Sequence, residues 1–295
     1  MIDLRFRAAL CALLLVSCAE ESEPAEAAGP QCDVPRVVGR LPAELREASG
    51  IAPSLRSGSY WWVIVDDGPA VIFAIDTLGR PLARIPLRGA SNNDWEALAS
   101  ARCGTESCLY VGDIGDNNRN RSTVRVYRFV EPTLESNGAD ADVFEMRYPD
   151  GPHDTEAIFV LPDQQLYVLT KGRSEPLTLY RYPGALSARD TVTLEKVQTL
   201  SASFVQLPEM ITDAGATPDG GWIAVRTYSR LQLYKLENGF LRGTLPGLGL
   251  DLGPLHEFQG EGVNLRGDGT IMFVSERGLD EAEAPISRTA CRFRS

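Results

Sequence analysis

Short apolar runs, many alternating with polar residues, are separated along the chain by clusters of Gly, Pro, Asp and Asn. This is the pattern of brief strands joined by tight turns. After Ser49-Gly50-Ile51-Ala52 the first unit continues with strands at 60–65, 70–75 and 81–87. The second unit gives 96–100, 109–112, 123–129 and 143–148, and the third 156–161, 166–170, 177–182 and 192–200. The fourth gives 213–217, 222–227, 231–236 and 240–245. A fifth unit supplies only three strands, 261–265, 270–275 and 288–293, while segment 34–41 at the other end of the chain is a strand without a unit.

Each unit opens on a related phrase: Ala48-Ser49-Gly50-Ile51-Ala52, Trp95-Glu96-Ala97-Leu98-Ala99, Thr155-Glu156-Ala157-Ile158-Phe159, Thr212-Asp213-Ala214-Gly215-Ala216 and Gly260-Glu261-Gly262-Val263-Asn264. An oxygen-bearing side chain precedes a small residue and a strand-like run, at positions 49, 96, 156, 213 and 261. Recurrence at such a period is the mark of a repeat fold. The pattern predicts an all-β, five-bladed β-propeller in which the N-terminal strand completes the last blade and removes its open edge. A six-bladed ring is the alternative, and a two-domain β protein stands third. No long amphipathic helix and no glycine-rich loop leading into a helix is present, which argues against a doubly wound α/β fold.

The ends of the chain and its cysteines refine this picture. Arg5 and Arg7 precede an apolar run, 8–16, too short to span a bilayer, so residues 1–17 read as a signal segment. Leu15-Val16-Ser17-Cys18 resembles a bacterial lipobox, and by that resemblance Cys18 becomes the lipidated first residue, anchoring the protein in the cell envelope at the outer membrane. Residues 18–31 are rich in Glu, Ala and Pro and read as a tether, leaving 32–295 as one folded domain. Export permits disulfides. Cys103 and Cys108 flank a turn and are expected to pair locally, and Cys32 with Cys291 would then staple the ring closed; four free thiols are the alternative. The net charge of -11 argues against a nucleic-acid partner. The chain is read as a monomer that meets the membrane only through its lipid.

In a propeller the first strand of each blade lines the axis, so Ser49, Glu96, Glu156, Asp213 and Glu261 are expected to converge near one mouth. Carboxylates about 5 Å apart repel by roughly 3 kcal/mol per pair at an effective dielectric near 20. Four of them must therefore hold a cation, share protons, or meet Lys and Arg. Calcium suits an all-oxygen ligand set. Zinc is disfavoured in a chain with only His153 and His256. The ends of the second strands place Asp66, Asp113, Lys171, Thr227 and Glu276 on the same face, with Asp67, Arg226, Tyr228 and Arg277 beside them. The loop 112–121, which carries Asp113, Asp116 and Asn117, is a candidate for a second cation or for substrate contacts. This mixed funnel suits an anionic ligand, either bound by Asp66, Asp113, Asp116, Asn117, Lys171, Arg226 and Arg277 or hydrolysed with the metal as Lewis acid. No activated nucleophile is apparent; His153 and His256 are the candidate bases.

Two family resemblances follow from these residues. Asp94-Trp95-Glu96-Ala97-Leu98, Asp154-Thr155-Glu156-Ala157, Thr212-Asp213-Ala214, Thr217-Pro218-Asp219-Gly220 and Val225-Arg226-Thr227-Tyr228 look like bacterial propellers of the phytase-like esterase type. That likeness implies the fold, although the Asp-rich metal cluster of its phytases is not evident. The order Ser, Glu, Glu, Asp, Glu also resembles the calcium-activated nucleotidases. It implies Ser49, Glu96, Glu156 and Glu261 as ligands of a central calcium, with Asp213 standing where a Ser is expected. Together these imply an exported calcium-holding propeller that binds an anionic small molecule or an envelope protein, or else a calcium-dependent phosphate-ester hydrolase.

Overall fold

The computed structural model describes residues 30–243, 249–279 and 283–293. The signal segment 1–17, Cys18 and nearly all of the 18–31 tether lie outside the described residues. Five separate sheets, each of four or five strands, make a five-bladed propeller; the six-bladed alternative does not hold. Blade 1 runs outward through Ala48–Pro53, Tyr60–Val65, Val71–Asp76 and Pro81–Arg88. Blade 2 uses Trp95–Cys103, Glu106–Asp113, Val124–Val130 and Asp142–Arg147. Blade 3 uses Thr155–Val160, Leu166–Thr170, Pro176–Arg181 and Glu195–Phe204. Blade 4 uses Ile211–Ala216, Ile223–Thr227, Arg230–Glu237 and Phe240–Gly243. Blade 5 uses Gln259–Leu265, Thr270–Glu276 and Pro285–Arg292.

The outer position of blade 5 is filled from the other end of the chain. Arg36–Arg40 pairs antiparallel with Pro285–Arg292, and Gln31–Cys32 extends the same edge, putting Cys32 opposite Cys291. Gln31 therefore belongs to the folded ring rather than to the tether. Two disulfides form, Cys32–Cys291 and Cys103–Cys108, as the spacing predicts. Two outer edges are further covered by passing chain: Ala139–Asp140 lies parallel to blade 1, and Val192–Thr193 parallel to blade 2. Short covered edges of this kind leave little unpaired backbone for other chains to add to.

Each blade interface has its own apolar cluster, giving five cores in place of one. Trp62, Ile64, Leu98 and Val111 lie between blades 1 and 2, and Trp61, Ile51 and Met272 between blades 5 and 1. The alternation along each strand sends successive side chains to opposite neighbouring blades, which is why adjacent Trp61 and Trp62 are both fully buried in different clusters. One side chain bridges the axis. The Asn264 amide of blade 5 donates to the Leu98 carbonyl of blade 2 (3.1 Å), reaching past the intervening blade 1. Gly215 is required beside it, since a Cβ there would sit 2.6 Å from Asn264 Oδ1.

The Cys32–Cys291 bond spans 259 residues and Cys103–Cys108 only 5. Loop-closure entropy then makes the first worth about 5–6 kcal/mol and the second roughly 2. Paired Cys→Ser variants compared by denaturant unfolding should show that difference. Equal losses would mean that the first bond does not hold the ring closed.

Candidate functional site

All five innermost strands carry a bulge at the level of the mouth. Pairing with the second strand skips the residue between Ala48 and Gly50, between Trp95 and Ala97, between Thr155 and Ala157 and between Ile211 and Asp213. In blade 5 it skips the two residues between Gly260 and Val263. The residues re-aimed by the bulges are therefore Ser49, Glu96, Glu156, Thr212 and Glu261. Asp213 does not belong to this ring. One residue past the bulge, it turns to the opposite side of its strand, where its carboxylate accepts the amides of Ala214 (2.8 Å) and Val263 (2.8 Å). The slip arises from aligning acid–Ala pairs. The Pro-Asp turns give the correct register, because Pro162 follows Glu156 by the same interval at which Pro218 follows Thr212.

The ring thus holds three carboxylates and two hydroxyls. Ser49 Oγ donates to the Trp95 carbonyl (2.6 Å) and Thr212 Oγ1 to the Glu261 carbonyl (2.9 Å), each tying its blade to the next in the closed ring. Glu96, Glu156 and Glu261 are 8%, 1% and 4% exposed. Burial pushes the Glu156 carboxyl up to about 7 in spite of Lys171, whose ammonium donates to Glu156 Oε1 at 2.7 Å. Burial and then the Glu156 charge push Glu261 up to about 8, and Glu261 Oε2 is buried without a hydrogen-bond partner. Burial, Glu156, Asp94 and Glu261 raise Glu96 well above the usual carboxylate range. Lys171 keeps its proton more firmly than a free lysine: burial opposes the charge, but Glu156 outweighs it. Tyr228 stands beside the ring with its hydroxyl raised by burial and by Glu261. One ammonium thus faces three glutamates.

A further tier of acids, which sequence spacing alone did not single out, lies two residues ahead of the first three ring positions: Glu47, Asp94 and Asp154. Asp94 shares a hydrogen bond with Glu96. Among the described residues, the acids whose ligand atoms gather within 4.8 Å of one another are Glu47, Asp66 and Glu276, at the rim beside the ring. Burial, followed by their like-charged neighbours, lifts Asp66 to about 6 and Glu276 to about 7.

The structure divides the other funnel residues. Lys171 is inside the ring, and Asp66 is on its rim. Arg226 is fully buried, donating to the carbonyls of Gly262 (2.9 Å) and Val274 (3.0 Å) and to Glu257, so it braces blades 4 and 5 and has no face toward a ligand. Asp113 is fully buried and takes up Arg121 (2.8 Å), Asn93 and the Asp94 amide. Asp116 is spent within its own loop on the amides of Asn120 and Arg121. The loop 112–121 thus uses its carboxylates to hold its own shape. Asn117 is exposed, and Arg277 is partly buried where its amide meets the Arg46 carbonyl. A cavity of about 520 Å³ opens away from the ring, between Ser91, Arg125, Tyr127 and Arg189.

No family profile matches the chain, and no curated protein matches it in sequence. Among solved structures, the PQQ-bound aldose sugar dehydrogenase of Streptomyces coelicolor is similar, with a TM-score of 0.54 and 13% identity over 91% of this chain and 100% of that one. At that identity the likeness shows a shared propeller fold. Looser matches are a putative oxidoreductase (glucose dehydrogenase) of Thermus thermophilus and an inactive variant of Staphylococcus aureus virginiamycin B lyase. The first has a TM-score of 0.43 and 12% identity over 88% of this chain and 100% of that chain. The second has a TM-score of 0.41 and 12% identity over 83% of this chain and 66% of that chain.

Because Glu156 and Glu261 bind protons more tightly folded than unfolded, metal-free protein should lose stability as pH rises from about 4.5 to 8. Lys171→Met leaves Glu156 without its counter-charge and should cost about 3–5 kcal/mol at pH 8. The cost should shrink at pH 5, where Glu156 carries a proton. Denaturant unfolding at both values measures this, and a pH-independent cost would contradict the pairing.

Proposed function

We propose that the protein is an exported, lipid-anchored propeller that holds one calcium ion at its mouth and binds an anionic small molecule or an envelope protein there. The observation that carries this reading is the buried, unpartnered Glu261 Oε2 in a ring of three glutamates, one of which, Glu156, is paired with Lys171. Hard carboxylate oxygens from Glu96, Glu156 and Glu261, with the Ser49 hydroxyl and water, suit calcium. The Thr212 hydroxyl stands where Asp213 was expected, so the ligand set keeps three charges, which one divalent cation and Lys171 balance. Asp213, held by two backbone amides, takes a structural part.

PQQ, which the Streptomyces coelicolor neighbour binds, carries carboxylates, and the acids at this mouth would repel them unless a cation intervened. Two disulfides support the exported reading, since such bonds persist in oxidising compartments. Lipidation at Cys18 remains the proposal that the lipobox resemblance supports.

Calcium-dependent hydrolysis of a phosphate ester is the second reading. It is favoured by Lys171 and Tyr228 lying beside the ring, where a cation and an ammonium would hold phosphoryl oxygens. When bound, calcium would supply Lewis-acid polarisation. Turnover of a phosphate ester that disappears in Lys171→Met, with the fold kept, would favour this reading over binding alone.

Chelator-stripped protein should gain about 5 °C in melting temperature at calcium concentrations near 100-fold its Kd, and less with magnesium. Glu261→Gln should abolish the gain without unfolding the ring, since it removes a raised carboxyl. A stripped wild-type protein that shows no calcium response would sink the proposal.

A further inference from the structure

His153 sits in the connection between the outer strand of blade 2 and the innermost strand of blade 3, three residues ahead of Glu156. Its Nδ1 meets Glu175, from the connection between the second and third strands of blade 3. Its Nε2 meets Asp150 Oδ1 (2.9 Å) and the Tyr180 hydroxyl (2.9 Å). Tyr180 also donates to Asp150 (2.9 Å), and Lys196 from the outer strand of blade 3 reaches Asp150 Oδ2 (3.0 Å). Tyr148 packs edge-on against the imidazole, and its hydroxyl joins Thr155 (2.8 Å). The imidazole is largely enclosed, its side chain 13% exposed.

Hydrogen-bond roles decide the protonation state here. An ionised carboxylate only accepts, so two carboxylates on opposite ring nitrogens require both nitrogens to donate. A neutral ring would turn a lone pair toward one of them. We propose that His153 is a proton-controlled latch: as imidazolium it pins the 149–154 connection at the mouth to the outer strands of blade 3, and loss of its proton releases that connection.

The partners dictate which contact breaks. Among the described residues Glu175 has no other donor, and its Oε1 is buried without a partner, whereas Asp150 also holds Lys196 and Tyr180. The neutral ring therefore keeps its proton on Nδ1, facing Glu175, and gives the Nε2 proton to solvent. The freed lone pair then accepts the Tyr180 hydroxyl, which swings away from Asp150. Asp150 loses two of its three partners together, and the connection is left held chiefly by Lys196. Glu175 and Asp150 hold the His153 pKa above its ordinary value although burial opposes them. Asp150 is drawn down to about 2, against its own burial, by His153, Lys196 and Tyr180. With the His153 pKa raised, the latch is complete below about pH 6.5 and opens as pH rises through the higher folded value. The latch concerns the 149–154 connection alone and stands whether or not the ring binds calcium.

The chain has two histidines, so NMR of the histidine-labelled protein resolves His153, with His256→Gln assigning the other signal. His153 should titrate above the ordinary value, and amides of Asp150, Gly151, His153 and Asp154 should exchange roughly tenfold faster above its midpoint, after correction for intrinsic base catalysis. Glu175→Gln, which keeps the shape but removes the charge, should lower the midpoint by about one unit and carry the exchange transition with it. His153→Gln should exchange fast at every pH. A His153 midpoint at or below the ordinary value, or an exchange profile that ignores both the midpoint and Glu175→Gln, would overturn the latch.

Discussion

Three glutamates share one enclosed mouth because five strands converge there, and each strand bulges at the same level to turn a side chain toward the axis. Burial alone penalises each charge, and the neighbouring charges penalise it further, so the cluster keeps its protons unless something positive joins it. Lys171 is the part of that answer that the chain supplies, bound to Glu156 at 2.7 Å. The hydroxyls at Ser49 and Thr212 show how the other two blades avoid adding to the problem: they spend their polarity on a neighbour's backbone. Placing a carboxylate at Thr212 would add a fourth charge where one ammonium already faces three.

The surrounding architecture keeps this arrangement in place. Each blade is too thin to bury its own faces, and five separate apolar clusters bind the blades face to face. The N-terminal strands and Cys32–Cys291 close the ring so that no interface is left open. Below the mouth, Asn264 crosses to Leu98 while Gly215 makes room for it, tying blade 5 to blade 2. Buried Arg226 ties blade 4 to the blade 5 carbonyls of Gly262 and Val274, holding Glu261 at its height.

Much of this was legible in the sequence because repeated units announce themselves. Blade number, strand order, the borrowed outer strand of blade 5 and both disulfides follow from spacing and cysteine positions. Ser49, Glu96, Glu156 and Glu261 are re-aimed where the phrase placed them. Asp213 was not, since side-chain direction in a strand reverses with every residue and a bulge moves the count by one. The acid–Ala likeness of blade 4 pointed to the wrong neighbour of Thr212. Arg226 and Asp113 misled for another reason: a charged residue at a strand end reads as a ligand contact, and only three-dimensional packing shows that a carbonyl or a guanidinium already holds it. Glu47, Asp94 and Asp154 escaped notice because they precede the repeated phrase, although Asp94-Trp95-Glu96-Ala97 and Asp154-Thr155-Glu156-Ala157 share a wording that marks the tier in two blades.

The central claim is that the ring holds protons which a calcium ion displaces. Calorimetric titration of the metal-free protein with calcium at pH 7, in two buffers of different ionisation enthalpy, measures the protons released on binding. The account predicts binding with net proton release, diminishing by pH 9 as Glu156 and Glu261 ionise unaided. Binding heats that are the same in both buffers, or no binding at all, would contradict it.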